Sequence, residues 1–130
     1  MIFRVLVSGS RDFPDPATIT GCLDDLLAIH GHDLVVVHGH CPDGADHIAD
    51  LWALAKGLTP ERHPARWDLH GRKAGPIRNG FMVDTRPDLL LAFRHNQSPG
   101  TSDCVAKARR ARIPSVVFDT YSPEIVTPPS

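Results

Sequence analysis

Apolar positions along the chain fall into short continuous runs, separated by stretches with the three-to-four spacing of helices. Residues 2–8 (IFRVLVS) make a β-rich run that stops at Gly9-Ser10. Asp15-Pro16 then supplies an N-cap and a proline at the first helical position. Ile19, Cys22, Leu23, Leu26 and Leu27 recur at the spacing of one buried helical face, and Gly31 stands where a left-handed C-cap belongs. Residues 34–38 (LVVVH) are continuously apolar, as expected of a parallel strand covered on both faces. Asp43 is expected to cap the next helix, whose inner face is Ala45, Ile48, Ala49, Trp52 and Ala53, and Gly57 ends it.

A poorer strand follows at 58–63, where Pro60, Glu61 and Arg62 push it toward a sheet edge. The segment PARWDLHGRKAG reads as an irregular connection. Gly75-Pro76 open a third helix that runs to about Asp84. Residues 88–93 (DLLLAF) are another buried strand, RHNQSPGT a polar loop, 102–111 a helix, and PSVVF the last strand. The alternation predicts an α/β fold: a Rossmann-like three-layer α/β/α domain with a five-stranded, mostly parallel sheet over residues 1–118. Residues 119–130, with three prolines and few apolar positions, read as a mobile tail.

Composition narrows the function without naming it. The 130 residues carry a formal charge of −1, so there is no global electrostatic footprint for nucleic acid or membrane. Aromatics make up only 6%, which argues against a stacking surface for single-stranded DNA. Three scattered cysteines without CxxC spacing suit reduced thiols, and the first apolar run is too short for a signal peptide or a membrane span. A cytoplasmic protein is expected.

Candidate chemistry gathers after the strands, where open parallel sheets bind ligands. Gly9, Ser10 and Arg11 follow the first strand, and Gly39, Gly44, Ala45 and Asp46 follow the second. Gly100 and Thr101 follow the fourth, while Gly75, Arg78 and Asn79 come from the third helix. Glycines there would let a ligand approach the backbone, and helix starts offer free N–H groups to anions. Arg72, Lys73 and Arg78 form a basic cluster, with Arg78 expected in a first helical turn, where the dipole disfavours a cation unless an anion pairs with it. Asp43 and Asp46, beside another helix start, suit ribose hydroxyls or a base better than phosphate. Together the two ends fit a nucleotide. His38, His40, Cys41 and His47 match no closed metal-site spacing, so no metal is expected. No base is tied by spacing to Cys41 or Cys104 as a nucleophile, and no cofactor is expected.

VSGSRDF, VHGHCPDGAD, AGPIRNGFMV and GTSDC, in this order and spacing, closely resemble the YspA, cpYpsA-related branch of the SLOG superfamily over roughly residues 2–118. The superfamily includes Lonely guy phosphoribohydrolases, the DNA-processing protein DprA, and sensor domains for nucleotide-derived signals, including ones derived from NAD. The resemblance implies a nucleotide or nucleotide-derived ligand bound at these loops, with the protein acting as sensor or sink. Its alternative is an N-glycosidic-bond hydrolase using Arg78, Asp46 and Asp103. Arg78 falls where the phosphoribohydrolases have a functional arginine, four residues before a methionine (here Met82). Gly100-Thr101 matches their phosphate-binding Gly-Thr. Where they carry a catalytic glutamate this chain has Cys104, and the nearest acid, Asp103, is rotated about 100 degrees around the helix. The superfamily often completes its site between subunits, so the resemblance also points to a homo-oligomer. A DprA-like role on single-stranded DNA ranks third.

Overall fold

The computed structural model describes residues 1–123. Five strands, β1 (Phe3–Gly9), β2 (Leu34–His38), β3 (Glu61–Arg62), β4 (Leu89–His95) and β5 (Ser115–Thr120), form one sheet in the order β3-β2-β1-β4-β5. Every pairing is parallel, with Val5 opposite both Val36 and Leu89. The chain builds outward from β1 to one edge, then returns to build the other. That reversal lies between β1 and β4, where the segments leaving the two strands turn to opposite faces of the sheet and leave a crevice.

Alternate residues of the strands feed two cores. Val5, Val7, Val36, Leu91 and Phe93 pack with Ile19 and Leu23 of α1 (Pro16–His30) and with Ala45, Ala49, Trp52 and Ala53 of α2 (Ala45–Ala55). Leu6, Val37, Leu90 and Ala92 face the other way, onto Met82 and Val83 of one helix and Cys104, Val105 and Ala108 of another. Each buried Val, Leu, Ile, Phe or Met among them contributes on the order of 1.5–3 kcal/mol. Sheet burial on both faces is what the continuous apolar runs required.

The cap at Asp15 forms as expected: its carboxylate accepts the Thr18 N–H at 3.2 Å and the Thr18 hydroxyl at 2.6 Å. Gly31 is left-handed, with φ 57°. The poor strand at 58–63 shrinks to two residues and does lie at the edge. Other expectations need correction. Residues 67–73 form a short helix, α3 (Trp67–His70), and a 3₁₀ turn, and α4 (Ala74–Asp84) follows directly. The last helix, α5 (Pro99–Arg110), begins three residues before the expected start, because Ser98 takes the N-cap position and Pro99 the first helical one. Asp119 and Thr120 continue β5, where Asp119 pairs with Arg94 at 2.6 Å, so the strand overruns the expected boundary at 118. Of the rest of the expected tail, 121–123 follow the strand without regular structure and 124–130 lie outside the described residues.

Candidate functional site

A cavity of about 480 Å³ opens at the C-terminal edge of β1 and β4. Its walls come from the β1–α1 loop, the β2–α2 loop, α4 and the start of α5, the four segments expected to converge.

The end of β1 contributes Gly9 to the lining, and the loop after it Ser10 and Arg11. Gly9 has no room for a side chain, since a Cβ there would stand 2.4 Å from Ala45 Cβ and 2.9 Å from the Phe93 carbonyl oxygen. Ser10 ties the strand ends together. Its N–H donates to the Phe93 carbonyl at 2.9 Å, and its hydroxyl oxygen accepts the His95 N–H at 2.8 Å. Arg11 is exposed on the rim.

The β2–α2 loop places Cys41 and Asp46 in the lining, whereas Gly39, Gly44 and Ala45 stand behind it. The expected ligand approach to these glycines is thus taken up by the chain itself. A Cβ at Gly39 would overlap the Arg78 guanidinium at 2.3 Å. One at Gly44 (φ 75°) would meet the Ser10 carbonyl at 2.5 Å. Gly44, not Asp43, is the N-cap of α2, and Asp43 is exposed. Asp46, in the first turn, is only 5% exposed and accepts the Cys41 N–H at 3.3 Å. Burial pushes its carboxyl above the ordinary range, against the opposing pull of His38, the Cys41 hydrogen bonds and Arg78.

Beneath this loop His38 is fully buried. Its Nδ1 accepts the His40 N–H at 2.9 Å, so the ring proton resides on Nε2, which donates to Asp50 at 2.8 Å. Burial lowers the His38 pKa and keeps the ring neutral. Asp50 draws its charge balance from Arg62, whose hydrogen bonds are the main reason its carboxyl is pulled down to about 2. His38, His40 and Asp50 lie close enough to hold an ion. A metal would have to displace a hydrogen bond at either ring nitrogen of His38, so this donor set suits a structural strut better than a ligand set.

From α4, Gly75, Arg78 and Asn79 all reach the cavity, with Arg72 on its rim; Lys73 is exposed and does not line it. Arg78 is the fifth residue of α4, beyond the first turn, because the helix starts at Ala74. Its Nη1 donates to the Gly39 carbonyl at 2.5 Å and its Nε to Asn79 Oδ1 at 3.0 Å. These contacts, not a helix dipole awaiting an anion, hold the guanidinium in place, and they leave further N–H donors on it. Buried Asn79 passes the connection on, its Nδ2 donating to the Gly100 carbonyl at 3.2 Å and to Asp103 at 3.1 Å.

Gly100 and Thr101 are the second and third residues of α5, so their N–H groups lack intrahelical partners. Ser98 offers no side-chain cap; its hydroxyl donates to Thr101 Oγ1 at 3.2 Å. There is no acid in this first turn, and a Cβ at Gly100 would meet nothing within 4 Å. Asp103 lines the cavity but is held by Lys107 Nζ at 2.7 Å. Cys104, where the hydrolases have their glutamate, is fully buried in the core with its thiol pushed up to about 11 by desolvation. Burial raises Cys41 as well, so neither thiol is primed as a thiolate. Trp67 also lines the cavity and was not expected there. The available signal was a tryptophan standing outside any apolar periodicity, between Arg66 and Arg72.

No helix among the described residues is long and apolar enough to cross a membrane. Among solved structures, the chain is similar to the molybdenum cofactor binding protein from the phototrophic bacterium Rippkaea orientalis. The TM-score is 0.69 and the identity 17%, over 92% of this chain and 78% of that one. It is also similar to the Moco Carrier Protein from Chlamydomonas reinhardtii, with a TM-score of 0.63 and 16% identity over the same shares. Likeness at such identities is one of fold. In sequence, Gene 61 protein of Mycobacterium phage D29 is 44% identical over 120 residues, 88% of this chain and 95% of that protein. The family model described as "YspA, cpYpsA-related SLOG family" matches residues 3–70. The chain belongs to the YspA, cpYpsA-related SLOG family.

Proposed function

We propose that this protein binds a nucleotide or nucleotide-derived small molecule in the 480 Å³ cavity, as a sensor or sink. One observation carries the reading: the uncapped start of α5 faces the same cavity as Arg11, Arg72 and Arg78. Helix-start amides and arginines are the donors that phosphate takes. Asp46 and the hydroxyl of Thr101 supply the polar partners that a ribose or a base edge needs. The volume falls in the usual range for ligand sites, roughly 300–1,000 Å³. Two proteins of this fold are described as holding the molybdenum cofactor, so the architecture accommodates a small molecule; the nucleotide is argued from this chain's own residues.

The test is calorimetry and thermal shift with AMP, GMP, NAD and cyclic ADP-ribose. At least one should raise the melting temperature, and Arg78→Ala should weaken its binding. A flat response to the whole set would reject the reading.

A second reading, cleavage of an N-glycosidic bond, is favoured by the buried carboxyl of Asp46, whose raised pKa suits a proton donor. Against it, Asp103 is occupied by Lys107 and Asn79. Base release from AMP or NAD that disappears in Asp46→Asn would establish turnover.

A further inference from the structure

We propose that Trp67 is the stacking platform for a planar heterocycle carried by the ligand, which sets the site's preference for ring-bearing over ring-free phosphates. This rests on the reading of the cavity given above and assigns the end of the ligand that reading leaves open.

A single exposed aromatic is ordinary on a protein surface. Trp67 differs in its setting. It is 55% exposed, belongs to neither hydrophobic core, and lines the cavity, which no other Phe, Tyr or Trp among the described residues does. The chain's other tryptophan, Trp52, shows the contrast: it is 7% exposed and its indole N–H donates to Asp24 at 2.8 Å. Among the described residues the indole N–H of Trp67 has no such partner.

Its neighbours place the ring beside α4. Arg66 and Asp68, flanking it, form a bidentate pair at 3.2 and 3.1 Å that braces α3. Gly75, buried at the start of α4, lies beside the ring edge; a Cβ there would be in van der Waals contact with Trp67 Cη2 at 3.6 Å. The indole edge thus lies beside the helix that carries Arg78, and it shares one cavity with the uncapped start of α5. A flat, half-exposed aromatic surface and a set of anion donors in one cavity match a molecule with a planar ring and a phosphate. Stacking on an exposed aromatic tolerates any base, because every base has a π-face.

The experiment is titration calorimetry of AMP, GMP and ribose 5-phosphate with the wild-type protein, Trp67→Ala and Trp67→Phe, with sedimentation velocity on each. In the wild type both nucleotides should bind at least about tenfold more tightly than ribose 5-phosphate, the advantage that stacking commonly gives. Trp67→Ala should collapse that ratio toward one, and Trp67→Phe should restore most of it. Ribose 5-phosphate binding as tightly as AMP, or a ratio that survives Trp67→Ala, would overturn the platform and leave the anion site standing. So would a change of oligomeric state in Trp67→Ala with the ratio intact, which would mark the ring as a contact between copies. Failure of AMP, GMP and ribose 5-phosphate to bind would overturn the platform, and failure of NAD and cyclic ADP-ribose as well would reject the cavity reading itself.

Discussion

Two helices, α2 and α5, begin at the same edge of the sheet, on either side of β1, and they are finished in opposite ways. The start of α2 is sealed. Ala45 packs onto Gly9, Gly44 fits against the Ser10 carbonyl, and Asp46 places a buried carboxyl of the chain's own in the first turn. The start of α5 is open: Gly100 has empty space around it, no acid occupies the first turn, and Ser98 does not cap. Both ends carry the same partial positive charge. One has an acid of the chain's own in its first turn, and the other has neither an acid nor a side-chain cap. A glycine-rich loop before a helix is therefore not in itself an anion site; what counts is whether the chain has already filled it.

The sharpest way to break this contrast is to place the same methyl group at both ends. Gly44→Ala forces a side chain onto a backbone at φ 75° and into the Ser10 carbonyl, and should cost about 2–4 kcal/mol in urea unfolding. Gly100→Ala meets open space and should stabilise by about 0.5 kcal/mol. Equal effects at the two positions would erase the distinction.

The sealed end also rests on the strut beneath it. Asp50→Asn should lower stability at pH 7 by about 1–2 kcal/mol, the shift being discounted because Arg62 is half exposed. The folded carboxyl titrates at about 2 and the unfolded one near 3.8. Its contribution is therefore complete above 3.8 and lost as the pH falls through 2, and the gap between wild type and variant should close over that interval. A gap constant with pH would show that the pair does not act through charge.

Gly100→Asp makes the open end resemble the sealed one. The new carboxylate complements the helix dipole, so stability should rise by about 0.5 kcal/mol, while affinity for a phosphate-bearing ligand should fall about tenfold or more. Opposite signs in the two measurements are the signature; affinity unaffected by the charge would place the anion elsewhere.

The smallest effect is expected at Asp46. Its folded pKa is raised, so the folded state holds a proton more tightly than the unfolded one, and stability falls as the pH rises through the folded value. Asp46→Asn removes that penalty and should raise the melting temperature slightly at pH 8, with the gain vanishing below pH 3.8.

Much of the frame was legible from residue order. The apolar runs located β1, β2, β4 and β5, and Asp15-Pro16 and Gly31 bounded α1, because these signals are local. The same Ser-Pro signal at 98–99 was available, and reading it would have put Gly100 and Thr101 inside the first turn of α5. The i,i+4 spacing of Asp103 and Lys107 likewise marked that acid as paired. What the order of residues could not carry was the filling of space. That Gly9 meets Ala45, that Gly39 meets Arg78, or that His38 leans on Asp50 depends on segments brought together only by the finished sheet. Composition marked Asp46 as a first-turn acid; only packing made it buried and reluctant to ionise.

The stretch from Glu61 to Lys73, which includes α3, contains not one buried residue. Its side chains, Trp67 and Arg72 among them, can be exchanged without opening a hole in either hydrophobic layer. One rim of the cavity can thus change while both hydrophobic layers stay intact, whereas the walls supplied by Gly9, Asp46 and Met82 cannot change without disturbing the packing behind them.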